Sequence, residues 1–250
     1  MDVVQKSSTI NISSQTVEQE PVCSICIANF NGQDILTDCL DSVYSQKFEF
    51  PYEVIIHDDA STDDSLGVVR NNYPQTVIIE SESNVGFCIG NNRMVNQAKG
   101  RYILLLNNDA ALHPDALQTL LNHAQKQSPQ GILTLPQYDW HTGDLVDRGC
   151  LLDPFFNPVP NLDPKRVDVA MAIGACLWLP RSLWHHLGGF PEWMESIAED
   201  MYLCCLARLQ GYSIQVTADS GYLHWQGMSF SGERTGGKRL VTTYRRRALS

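Results

Sequence analysis

Hydrophobic positions fall into a regular alternation over the first half of the chain. Val22 to Ala28 is a short, mostly apolar run that ends in Asn29-Phe30-Asn31-Gly32, the pattern of a buried strand followed by a turn. Leu36, Leu40, Val43 and Tyr44 then recur at helical spacing. Tyr52 to His57 reads as a second strand and runs into Asp58-Asp59-Ala60-Ser61-Thr62-Asp63, where Ser61 or Thr62 is expected to cap a helix carrying Leu66, Val68 and Val69. A third strand is predicted over Thr76 to Glu80, a loop over Ser81 to Gly86, and a helix around Asn91 to Ala98. Strand Tyr102 to Leu106 follows and ends in Asn107-Asn108-Asp109, and Pro114 is expected to open a helix reaching about Lys126.

Strands alternating with crossovers of about 20–25 residues call for a parallel sheet with helices on both faces. Ligands bind such sheets outside the carboxyl ends of the strands. Three of the four strands end in polar clusters: Asn29-Phe30-Asn31, His57-Asp58-Asp59 and Asn107-Asn108-Asp109. The fold rules therefore bring them towards one rim. The second half is less regular. Residues 137–168 read as loops or short strands, the apolar run Val169 to Leu179 as containing a strand that ends near Leu179, 181–187 as a short helix ended by Gly188-Gly189, Asp200 to Leu209 as a buried helix, and Ile214 to Thr217 as a strand.

Four polar groups in this frame carry chemistry. Asp109 at a strand tip suits Mg²⁺ or Mn²⁺, hard cations that prefer oxygen, and an Asx turn is the plain alternative. Asp58 and Asp59 suit a nucleotide base or ribose, or simply an acidic helix N-terminus. Glu199 and Asp200 precede an apolar helix and suit a general base on a hydroxyl, with helix capping as the alternative. His224, after strand-like residues, is either a metal ligand or a structural histidine.

Composition narrows the field. With 250 residues the chain suffices for one α/β domain or two small ones, without metal or disulfide staples. A net charge of -10 argues against nucleic acid as a partner, but leaves a nucleotide held by a metal and backbone N–H groups open. Cys23 and Cys26 form C-x-x-C, yet their odd spacing within a strand sends them to opposite faces, so the eight cysteines read as buried thiols of a reducing, cytoplasmic compartment. Residues 1–20 are polar, without periodicity or a signal-peptide core, and read as a flexible extension. The Arg245-Arg246-Arg247 cluster suits either solvent or a peripheral contact with the inner face of a membrane.

Taken together, residues 21–230 resemble the family 2 inverting glycosyltransferases of GT-A fold, nearest to the rhamnosyltransferase-like branch. The resemblance rests on the segments Ser24 to Gly32, Val54 to Asp63, Asn84 to Asn92 and Gly100 to Asp109, followed by Gly174 to Arg181, Gly188-Gly189-Phe190 and Glu199-Asp200. It implies a Rossmann-like, mostly parallel sheet in a single domain over 21–250, with a nucleotide-binding half (21–110) and a smaller acceptor-binding half (111–250). It further implies that Ala28, Asn29, Asp58 and Asp59 line the base and ribose pocket, Asp59 foremost, with Asn91, Asn92 and Asn108 beside the nucleotide. Asp109 and His224 would hold Mg²⁺ or Mn²⁺. Gly174, Ala175 and Trp193 would lie against the donor sugar and acceptor, and Asp200 would be the base with Glu199 beside it. The implied partners are a nucleotide-sugar donor, either dTDP-rhamnose or a UDP-sugar, and a glycan or lipid-linked acceptor in cell-surface polysaccharide synthesis.

The chain departs from that family's pattern in places. Asn107 and Asn108 leave one carboxylate where two or three are usual, Ala60 stands for a usual Gly, and Met201-Tyr202 for a usual Val-Asp. Family members often continue beyond the position of His224, so Ser250 is expected to be a truncation point. Two other classes fit less well. A nucleotidyltransferase wants a Gly-rich basic phosphate loop, which Asn29 to Gly32 is not. A non-catalytic relative that only binds nucleotide or glycan fits the lean metal motif.

Overall fold

A computed structural model describes residues 20–225. The expected N-terminal extension, but for Glu20, and the Arg245–Arg247 cluster lie outside the described residues. The strands of the first half are β1 (Cys23–Asn29), β2 (Tyr52–Asp58), β3 (Val77–Glu80), β4 (Tyr102–Asn107) and β5 (Ala110–Leu112), and the helices between and after them are α1 (Leu36–Tyr44), α2 (Ser65–Asn72), α3 (Phe87–Gln97) and α4 (Ala116–Lys126). Then come β6 (Ile132–Thr134), β7 (Gln137–Asp139), β8 (Leu145–Asp147), β9 (Cys150–Leu152), β10 (Pro158–Pro160), β11 (Cys176–Pro180), α5 (Arg181–Leu187), α6 (Glu199–Leu209), β12 (Ile214–Val216) and β13 (Tyr222–His224).

The main sheet has seven strands in the order β12-β6-β11-β4-β1-β2-β3. Its pairs are parallel except where β11 runs antiparallel to both β4 and β6. Strand-side alternation fixes two cores. Cys23, Ile25 and Ile27 of β1, with Tyr102, Leu104 and Leu106 of β4, face α1, α2 and α4. Cys26, Ile103 and Leu105 face α3, α5 and α6. The opposite placement of Cys23 and Cys26 follows from the period of two. None of the eight cysteines is in a disulfide, and burial pushes six of them strongly upward, Cys150 and Cys176 to about 12.

Strand order reverses at β1: β2 and β3 are added on one side of it, and β4 on the other. This is the switch point at which open α/β sheets bind ligands. A second sheet, in the order β5-β13-β7-β8, lies beyond the end of β4.

Several local expectations are corrected. α2 starts at Ser65 after Asp64, and neither Ser61 nor Thr62 caps it; Ser61 Oγ instead donates to Asp58 Oδ1 at 2.7 Å. The carboxylate claimed the hydroxyl because it is buried and accepts two bonds from Ser61, the other from its backbone N–H. α3 begins four residues before Asn91, at Phe87, since Gly86 takes φ 89° and turns the chain into the helix. α4 begins at Ala116, two residues past Pro114, whose carbonyl accepts from Lys47. The strand expected within the apolar run from Val169, with its end near Leu179, is β11; it begins only at Cys176 because Val169, Ala170 and Met171 bond to Ile214 and Cys150.

Candidate functional site

The switch point is closed by hydrogen bonds among the polar clusters. Asn29 Nδ2 donates to Asp58 Oδ1 at 2.9 Å, and Asn108 Nδ2 donates to Asn29 Oδ1 at 2.9 Å. One asparagine thus ties the ends of β1, β2 and β4 together. The loop after β1 is zipped to the loop after β2: Asn31 N–H donates to Ser61 Oγ, Thr62 N–H to Asn31 Oδ1, and Gln33 N–H to Asp63 Oδ2. Gly32 is required by close approach. A Cβ there would stand 2.5 Å from Asn108 Nδ2 and closer still to Asn29 Oδ1, so any side chain would break the bridge. Ala28, half-buried between Ile27 and Asn29, lies opposite His57 and Asn107.

Asp59 is buried, and its carboxylate accepts the backbone N–H groups of Val85 at 2.7 Å and Gly86 at 2.9 Å. The residue expected to meet a base therefore shapes the Ser81-to-Gly86 loop. Sequence reasoning missed this, since nothing in that loop but its glycine signals a partner 26 residues away. Ala60 takes φ 62°, the left-handed conformation that explains why glycine is usual there. Beneath the rim, His57 packs against Gly90 and meets Ser81 Oγ at 3.0 Å. Burial pulls its pKa down; Asp59 and Asp58 pull it back up and Arg93 reinforces the fall.

The second cluster is built where β4 passes into β5. β13 pairs antiparallel with β5, placing His224 opposite Ala110, and Trp225 N–H donates to the Asp109 carbonyl at 2.9 Å. That register sets His224 Nε2 3.1 Å from Asp109 Oδ1, with the Asp109 side chain buried. Adjacent ligands about 2.1 Å from one small divalent cation stand about 3 Å apart, so the pair fits two neighbouring positions on one ion. Among the described residues no group of three His, Cys, Asp or Glu side chains is assembled for a metal, so an ion at this pair would complete its shell with phosphate oxygens and water.

The third cluster lies at the start of α6. Gly174 N–H donates to Asp200 Oδ2 at 3.0 Å, and the Ala175 carbonyl accepts from Asn107 N–H at 3.1 Å. The Gly174-Ala175 segment therefore joins the tip of β4 to the carboxylate of α6. Glu199 is buried beside it. Ala198, at φ 68°, and Glu195, at φ 58°, turn the chain into α6. Trp193 stands on the short helix Glu192–Met194 and is 60% exposed.

Two expected site residues bond to backbone groups on and beside α3. Asn91 Nδ2 donates to the Phe87 carbonyl within α3. Asn92 bonds Phe190 in both directions, pinning α3 to the turn after Gly188 and Gly189. Their amides bond to backbone groups of the chain. Asn108 likewise spends its amide N–H on Asn29.

With this geometry, comparison with known proteins is informative. The model of glycosyl transferase family 2 matches residues 24–187, and the chain belongs to that family. Over 207 residues it is 30% identical to a poly(ribitol-phosphate) beta-glucosyltransferase of Bacillus spizizenii, covering 80% of this chain and 32% of the relative. It is 29% identical over 197 residues to a chondroitin synthase of Escherichia coli, covering 77% of this chain and 27% of the other. The chain thus spans about a third of these relatives' length. Among solved structures, S. aureus TarS 1-349 in complex with UDP superposes with a TM-score of 0.63 at 21% identity, covering 81% of this chain and 60% of that one. GalNAc-T7 with UDP, GalNAc and Mn²⁺ gives 0.70 at 14% identity, covering 84% and 46%. The mixed α/β fold with its mostly parallel sheet is the GT-A fold of these glycosyltransferases. Among the described residues no helix is long and apolar enough to cross a membrane.

Proposed function

We propose that the chain carries an inverting glycosyl-transfer site that takes its sugar from a nucleoside-diphosphate donor. The observation that carries this reading is the Gly174-Ala175 bridge, which holds the Asp200 carboxylate and the β4 tip with its Asp109–His224 pair on one floor. Asp58 and Asp59 close the nucleotide end of the same rim.

Asp109 and His224 would hold Mg²⁺ or Mn²⁺, which when bound offsets the charge of the departing diphosphate. Asp200 takes the proton of an acceptor hydroxyl. The oxygen attacks the anomeric carbon from the face opposite the diphosphate, the new C–O bond forms as the old one breaks, and the nucleoside diphosphate leaves with the bonding pair. Glu199 stands beside the base, and Trp193 offers an aromatic surface to the donor or acceptor sugar. The donor is read as a UDP-sugar, since UDP appears in the named complexes of structures sharing the fold, with dTDP-rhamnose as the competing donor. The acceptor is read as a glycan or lipid-linked glycan of a surface polysaccharide. Eight cysteines outside any disulfide suit a reducing compartment, so the site is assigned to the cytoplasm, with a peripheral contact at the inner membrane face.

The test is transfer from UDP-glucose, UDP-GlcNAc and dTDP-rhamnose to a panel of glycan acceptors with Mn²⁺, with product configuration read by NMR. Product of inverted anomeric configuration supports the reading, and retained configuration overturns the mechanism. Metal-dependent UDP binding with neither transfer nor donor hydrolysis would instead identify a binding module.

A further inference from the structure

The second sheet carries a polar row that the reaction above does not use. Tyr222 on β13 stands opposite Gln137 on β7, and Gln137 stands opposite Asp147 on β8. Residues paired across neighbouring strands project to the same face, and His224, two residues along β13 from Tyr222, shares that face. Tyr222, Gln137 and Asp147 are buried. The Tyr222 hydroxyl donates to Gln137 Oε1 at 2.8 Å, and Gly149 N–H donates to Asp147 Oδ1 at 2.9 Å.

Two buried nitrogens in this row have no hydrogen-bond partner among the described residues: Gln137 Nε2 and His224 Nδ1. Leaving such a group unpaired is costly, so native structures seldom do it. With the Asp147 carboxylate they form three polar groups on one face, about the number that holds a buried water. Asp147 is within electrostatic reach of both neighbours: burial pushes its carboxyl up, Gly149 N–H and His224 pull it back, and its charge helps to raise Tyr222. Metal-binding histidines commonly engage a carboxylate or water through the ring nitrogen that does not face the metal. Here Nε2 faces Asp109, so Nδ1 is the nitrogen left for that role.

We propose that Asp147 is a positioning residue for His224: with Gln137 it holds one bridging water against His224 Nδ1, keeping Nε2 aimed at Asp109. Tyr222 anchors the row by fixing the Gln137 amide. The inference rests on the reading of Asp109 and His224 as the metal pair.

Two measurements test it on the full chain. The first is a high-resolution crystal structure without metal, in which one ordered water should contact His224 Nδ1, Gln137 and Asp147. A Nδ1 bonded to some other protein group, or no shared water, overturns the proposal. The second is UDP binding by calorimetry with and without Mn²⁺. Asp147→Asn should weaken Mn²⁺-dependent UDP binding about tenfold and leave metal-free UDP binding unchanged. Equal loss in both arms, or loss in neither, overturns it. If Asp147→Asn does not fold, Tyr222→Phe should shift the same Mn²⁺-dependent constant in the same direction by a smaller factor, and no shift counts against the proposal. Absence of Mn²⁺-dependent binding in the unmodified chain would sink the metal-pair reading, while the crystallographic water still decides the role of Asp147.

Discussion

Gly174 N–H donates to Asp200 Oδ2 at 3.0 Å, and a Cβ on Gly174 would meet that carboxylate at 3.8 Å. The glycine therefore orients Asp200 and leaves the space in front of it clear. Asp200→Asn keeps an acceptor for this bond but cannot take a proton. Turnover should fall about 10²–10⁴-fold, with UDP affinity nearly unchanged. Stopped-flow transfer and calorimetry on the same samples check this, and a parallel loss of UDP affinity would refute the assignment. Gly174→Ala should fold normally, since 3.8 Å is ordinary contact, and lower turnover more than donor binding.

Asp109 and His224 should act as a unit. Asp109→Asn and His224→Ala are each expected to lower Mn²⁺-dependent UDP affinity by at least about tenfold. The double variant should lose little more than either alone, because residues in one cluster are not additive. A double-mutant cycle measured by calorimetry reads the coupling, and additive losses would show that the two do not share an ion.

Asp59 should hold the loop before α3. Asp59→Ala removes the acceptor of two part-buried N–H bonds, each worth about 1.5–3 kcal/mol when the partner is charged. Amide exchange at Val85 and Gly86 should rise well before global unfolding, while β1 and β4 stay protected. Unchanged protection at both amides would contradict the latch.

Ala60 sits in the left-handed region, which costs a residue bearing a Cβ about 1–2 kcal/mol. Glycine relieves that strain but adds freedom to the unfolded chain, worth about 0.4–1 kcal/mol. Ala60→Gly is therefore expected to stabilise the chain by up to about 1 kcal/mol in urea unfolding.

His57 titrates lower in the folded chain than its ordinary value, chiefly through burial. Its folded form resists the proton that the unfolded form accepts near pH 6.5. Stability contributed by neutral His57 is thus full above about pH 6.5 and falls as the pH drops below it. The difference in unfolding free energy between the unmodified chain and His57→Gln should shrink between pH 7 and pH 5.

Much of the first half was legible because local rules and tertiary structure agree there. Strands β1, β2 and β4 are apolar runs flanked by turn chemistry, and the period of two already separated Cys23 from Cys26. Asp109 was legible by type and position at a strand tip, whereas its pairing with His224 came only from the family resemblance and from no local pattern. His224 lies 115 residues away and reaches it only because β13 docks on β5. The bonds of Asn91 and Asn92 were not legible for the converse reason. Their motif fixes identity, while the direction of each side chain depends on where α3 begins and on Phe190, 98 residues further on from Asn92.

The sequence by itself determined the alternation of strand and helix, the parallel core and the polar ends of its strands, because hydrophobic period and turn residues act over a few positions. Tertiary structure alone decided the antiparallel insertion of β11, the Gly174–Asp200 bond, the loop held by Asp59 and the Tyr222-Gln137-Asp147 row. Each depends on which backbone N–H or strand edge lies nearest once distant segments have packed, and no local propensity encodes that choice.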